Sequence, residues 1–202
     1  MKNCSTINRA LAAKKKLFFL FVAVVMAASV MAEGHMKFKG IELDGSLPAF
    51  VSAMRQQKFT LTQQDADVAI MQGVFNGRKS HIYIYTTTSS HKVYYVAVVF
   101  DDSGEEWSSI WNLYSTYKDR LQTKYGFYTK QVEENRCSYS QDDPLYSIRH
   151  DQAEYKTVYE GEGGNVMVAI INMSYPIGVQ VSLGYLDSQN YALNEAEVIE
   201  DL

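Results

Sequence analysis

Val93-Tyr94-Tyr95-Val96-Ala97-Val98-Val99-Phe100 is apolar at every position. A run this short, rich in β-branched and aromatic residues, reads as a strand buried on both faces or central in a sheet. Two further strand-like runs precede it, Val68–Asn76 and Lys79–Thr87, with Gly77 at the first turn and Thr86–Ser90 at the second. The stretch Val68–Phe100 therefore predicts a three-stranded antiparallel meander.

A related segment returns at Tyr155–Leu186. Shifted by about 84 residues, the two align without a gap: Gly77 meets Gly161, Ile82 meets Val166, Ile84 meets Val168 and Val99 meets Leu183. The last run of the second segment alternates Val179, Val181, Leu183 and Tyr185 with Gln180, Ser182 and Gly184, which predicts one buried and one wet face.

A helix is expected before each meander. Ser46 and Pro48 open the first, which runs to about Lys58 with Leu47, Phe50, Val51 and Met54 on one face. The second starts at a capping box formed by Ser103 and Glu106. It carries a stripe of Trp107, Ile110, Trp111, Tyr114, Tyr117, Leu121 and Tyr125, and Gly126 ends it. Phe38–Leu43 reads as a short strand and Thr60–Asp67 as a polar loop. Phe127–Ala153 is a long loop with a helical turn near Leu145–His150, and the residues after Asp187 form a polar C-terminal tail, with a short helix carrying Leu193, Ala196 and Ile199 as the alternative. The fold class expected is α+β. Two tandem helix-plus-three-strand antiparallel meander units, about 38–102 and 103–187, form one sheet with the helices on one face, in a single domain of residues 33–202.

Residues 1–32 stand apart. Lys14-Lys15-Lys16, the apolar run Leu17–Ala28 and Ser29-Val30-Met31-Ala32 have the layout of a secretory signal peptide, cleaved after Ala32. The expected location is periplasmic or extracellular, with no stable membrane span after cleavage, since the run falls short of the roughly 20 residues that a spanning helix needs. Removing this segment takes away five basic side chains and no acid. What remains has 14 basic against 23 acidic residues, a net charge of −9. That balance argues against nucleic acid as a partner. Cys137 is then the only cysteine, so no internal disulfide forms.

The order of elements resembles that of the secreted β-lactamase inhibitor proteins, which have tandem helix-plus-sheet units. Gly45-Ser46-Leu47, Phe50-Val51, Trp107 and Lys124-Tyr125-Gly126 are similar to a pattern in small exported Bacteroidetes proteins of uncharacterised function. The resemblance implies the fold. It does not carry inhibition with it, because this chain lacks the inhibitors' disulfides.

Little in the sequence points to chemistry. His81 and His91 could face each other across the second and third strands as a metal pair, but both read more simply as surface residues near strand starts. Cys137 with His150 is the one conceivable nucleophile pair. Glu133-Glu134 and Asp142-Asp143 are the acidic pairs left unexplained by capping or strand ends. Gly161–Gly164 is a hairpin turn, with neither the Lys-Ser/Thr nor the helix of a phosphate loop. No catalytic residue, metal site or cofactor is assigned.

Tyrosine is the unusual component, and all 15 lie beyond residue 32. Tyr83, Tyr85 and Tyr94 are expected on the open sheet face opposite the helices, where phenol rings suit contact with a protein or carbohydrate of the cell envelope. The function expected is non-enzymatic binding. A small hydrolase with its site in Phe127–Ala153 and an envelope assembly partner joined through sheet edges are the alternatives.

Overall fold

The computed structural model describes residues 34–101, 103–136, 143–174 and 177–200. The signal peptide expected at 1–32 and Cys137 lie outside them. The chain opens with a two-residue hairpin, β1 (Lys37–Phe38) and β2 (Ile41–Glu42), where a single longer strand was expected. Lys39 and Gly40 both take positive φ at its turn, which breaks the extended run.

Helix α1 (Leu47–Gln56) follows and buries Leu47, Phe50, Val51 and Met54, the spacing read from the sequence. Ser46 holds the N-cap position but makes no side-chain cap bond. Its backbone instead bridges to Lys92. Next come β3 (Thr60–Gln64), β4 (Val68–Phe75), β5 (Arg78–Thr86) and β6 (Val93–Phe100). The segment expected as a polar loop thus contains a strand. Phe59, just ahead of it, lies flat against Gly73, where a Cβ would stand only 2.4 Å from the ring.

Helix α2 (Trp107–Tyr125) starts later than the expected capping box. Glu106 occupies its N-cap without a side-chain bond. Ser103 is buried and has a different use: its hydroxyl donates to the Phe100 carbonyl at 3.0 Å and accepts the Val181 N–H at 2.9 Å. The supposed long loop holds β7 (Lys130–Asn135) and the short helix α3 (Pro144–Arg149), capped by the Asp143 side chain. Then come β8 (Ala153–Gly161), β9 (Gly164–Ser174), β10 (Ile177–Asp187) and helix α4 (Ser188–Glu200), which is the helical alternative for the polar tail.

The eight longer strands form one antiparallel sheet in the order β3-β4-β5-β6-β10-β9-β8-β7. Each half is therefore a helix followed by four strands, not three. The halves meet at β6 and β10, with Ala97 opposite Gly184. Helix α1 packs on β3–β5, while α2 and α3 pack on β8–β10. Their apolar faces close over a first core that both halves share. Phe38, Phe75, Phe100 and Tyr117 form a chain of ring contacts through it, with centroids 4.6–6.3 Å apart.

Helix α4 crosses one end of the sheet. Asp187 accepts the Asn190 N–H at 2.8 Å in the manner of an N-cap. Further along, Glu197 accepts the backbone N–H groups of Ser89 and Ser90, at 2.7 and 3.1 Å. A hydrogen bond from the Ser90 side chain is the main cause that lowers the Glu197 carboxyl from its usual value near 4.5, and the two backbone N–H groups add to it. A depressed folded value means that this link contributes fully above the ordinary range and is lost as pH falls through the lowered one. Amide exchange at Ser89 and Ser90, corrected for intrinsic rates, should therefore accelerate between pH 5 and pH 3. Glu197→Gln should flatten that dependence; an unchanged profile would contradict this assignment.

Candidate functional site

Residues alternate between faces along each strand, so the sheet has a second face opposite α1, α2 and α3. It is apolar too. Tyr83 and Tyr85 from β5, Tyr95, Ala97 and Val99 from β6, and Met167, Ala169, Ile171 and Met173 from β9 form a second buried cluster. Strict alternation would send Tyr94 to the helix side. A bulge prevents this, because Tyr85 pairs with Tyr95 but Thr86 pairs with Val93, leaving Tyr94 as the extra residue. Tyr94 and Tyr95 therefore both join the second cluster.

The structure thus brings Tyr83, Tyr85 and Tyr94 together on the expected face. It does not leave them open. Their exposures are 4%, 6% and 6%, so in the 202-residue chain this face is closed. Burial raises the Tyr85, Tyr94 and Tyr95 phenols well above their usual value, with neighbouring tyrosines adding to the effect at Tyr85. The β10 face expected to be wet is closed as well, with Gln180 7% and Ser182 2% exposed. Among the described residues, every member of the cluster belongs to a strand except Tyr191 of α4, whose ring lies 6.3 Å from that of Tyr94.

The register lays these residues out in rows across the strands. One row reads Tyr85, Tyr95, Leu186, and the next Tyr83, Ala97, Gly184, Met167. A third reads His81, Val99, Ser182, Ala169, Lys156. The last row has a carboxylate contact near each end, from His81 to Asp101 and from Lys156 to Glu154. Ser182 Oγ and Gln180 Oε1 are buried with no hydrogen-bond partner. Sequence alternation alone pointed to Gln180 and Ser182 as solvent-facing, and it missed Tyr95 and Tyr191 altogether.

The other candidates disperse. His91 sits in the β5–β6 turn, while His81 pairs with Val99, so the two histidines are roughly 25 Å apart along the ladder. His150 stacks near Tyr146, with centroids 4.2 Å apart. Glu133 accepts from Tyr114 and Lys118, and Glu134 pairs with Arg136. Asp143 caps α3, and Asp142 lies outside the described residues. No cluster of three metal-ligating side chains occurs among the described residues. On the helix side, a solvent-open polar cleft of about 430 Å³ lies between Arg78 and the Ser109, Asn112, Thr116 and Arg120 stripe of α2.

Comparison with known proteins returns no relative: no protein-family model matches the chain, and no curated protein or solved structure matches it.

Proposed function

We propose that this is an exported, non-enzymatic binding protein of the cell envelope, and that the second sheet face is its binding surface. The observation that carries this reading is the one-sided placement of the helices. Helices α1, α2 and α3 supply the apolar cover of the first face, whereas among the described residues the second cluster takes a single helical side chain, Tyr191. A chain that has lost residues 1–32 keeps the whole described sheet and with it this apolar face. Large apolar faces without a helical cover are the usual seat of partners and ligands.

The alternatives fare less well on physical grounds. Assembly through sheet edges would use β3 and β7. The first is polar and bulged between Leu61 and Gln63, and the second carries Lys130, Glu133 and Glu134. Both features discourage strand addition. For a hydrolase in Phe127–Ala153, Glu133 and Glu134 are taken up in ion pairs and Asp143 caps α3.

Protein recovered from periplasm or medium should begin at Glu33 by mass spectrometry. It should bind the apolar fluorophore N-phenyl-1-naphthylamine saturably. Ala97→Trp or Ala169→Phe, with unchanged far-UV circular dichroism, should weaken that binding about tenfold by filling the face. Retention in the cytoplasm with Met1 intact would sink the export reading. Undiminished binding by both folded variants would sink the surface.

A further inference from the structure

The solvent-open cleft of about 430 Å³ lies on the helix side, between the start of β5 and α2. Ser109, Asn112, Thr116 and Arg120 form its wall on α2. Steps of three, four and four residues put these side chains on one face of the helix, as a polar stripe about three turns long. Arg78 stands on the opposite wall. Tyr117 lies at the base, fixed by its ring stack on Phe100 with centroids 4.6 Å apart. Because the cleft is open in the folded chain, a ligand can enter it without any rearrangement of the sheet.

The lining combines two kinds of recognition. The first is cationic. Guanidinium groups from two separate elements meet here, and no carboxylate is among the described residues that line the cleft. This stands out in a chain whose formal net charge is −4. On another flank of α2, by contrast, Lys118 is paired with Glu133 at 2.6 Å. The Arg120 guanidinium lies over the Tyr117 ring, 5.3 Å from its centroid, a contact that orients the group and satisfies none of its N–H donors. Arginine forks match the oxygens of carboxylates and phosphates in pairs. The second kind is neutral and works in both directions. The Asn112 carboxamide and the Ser109 hydroxyl can each donate and accept. The Thr116 hydroxyl donates to the Asn112 carbonyl at 2.7 Å, which leaves its lone pairs to accept. Ligand hydroxyls also donate and accept, so they suit this stripe. A bare anion would use the arginines alone, and a neutral sugar the stripe alone.

We propose that this cleft binds an acidic sugar unit, with its carboxylate or phosphate between Arg78 and Arg120 and its hydroxyls along Asn112 and Ser109. A volume of about 430 Å³ falls within the range of small-molecule sites. The cleft lies across the sheet from the surface proposed above, so either site can hold without the other.

Titration calorimetry of the purified chain with glucuronate, glucose 6-phosphate, glucose and inorganic phosphate tests this. At least one of the two acidic sugars should bind about tenfold more tightly than both glucose and inorganic phosphate. Which of them does so identifies the acid group. Arg120 and Asn112 are exposed, so their variants keep the fold. Arg120→Gln should cost the acidic sugar about tenfold in affinity and glucose nothing, while Asn112→Ala should weaken both sugars and leave inorganic phosphate unchanged. Binding of N-phenyl-1-naphthylamine should be the same in both variants as in the parent. Inorganic phosphate binding as tightly as the acidic sugars overturns the sugar assignment. Full affinity in Arg120→Gln, or no binding of either acidic sugar at millimolar concentration, overturns the site, and in each case the second sheet face is untouched.

Discussion

Tyr114→Ala should lower the free energy of unfolding by about 4 kcal/mol, and Tyr114→Phe by about 1–2 kcal/mol. Tyr114 has no exposed surface and sits at the centre of α2 facing β8. Its ring is 5.5 Å from that of Trp111, and its hydroxyl bonds to Thr157 at 2.8 Å and donates to Glu133 at 3.1 Å. Truncation leaves a ring-sized cavity. It also strips a partner from Thr157, which is itself fully buried. The phenylalanine variant keeps the ring and loses only the hydroxyl, so the gap between the two variants measures packing. Equilibrium unfolding in urea distinguishes them. Equal losses for both would mean that the hydroxyl network, not the ring, holds α2 to the sheet.

Asp187→Ala should cost about 3 kcal/mol, because one buried carboxylate satisfies three groups from two distant parts of the chain. Its Oδ2 accepts the Met36 N–H at 2.8 Å and contacts His35 Nδ1 at 3.0 Å, and its Oδ1 caps α4 at Asn190. Asp187 has no exposed surface, so water cannot replace these bonds in the folded chain. Asp187→Asn should recover only part of the loss, since an amide nitrogen turned toward the Met36 N–H opposes donor to donor. Hydrogen exchange should show Met36 and Asn190 losing protection together in the alanine variant. Loss at only one of them would mean that the N-terminal segment and α4 are held separately.

How much of this was legible depended on where local pattern and tertiary context agreed. The six inner strands and helices α1 and α2 follow from alternation and from a 3.6-residue period, so their burial was readable at Leu47, Phe50, Ile82 and Val98. The outer strands β3 and β7 were not. Their compositions, Thr-Leu-Thr-Gln-Gln and Lys-Gln-Val-Glu-Glu-Asn, are those of loops, because an edge strand needs only one apolar neighbour and gains from charge. The capping box at Ser103 failed for a different reason: the hydroxyl finds a better use on Val181, 78 residues away, which no local motif can show. The tyrosine face was foreseen but its closure was not. Nor could a sequence show that a bulge rotates Tyr94 and Tyr95 to the same side, or that Ser182 keeps its hydroxyl unpaired.

The seam between β6 and β10 has a consequence for how the chain is made. Strand β6 is complete by residue 100, yet the strand that pairs with its inner edge is the last of the sheet in chain order, ending at Asp187. Until β10 emerges, the first half presents an eight-residue apolar edge with no neighbour, and the shared core stays open. Closing it joins residues more than 80 apart, so it carries the slow, late contacts of folding. Truncation before β10 should leave a species that associates through β6.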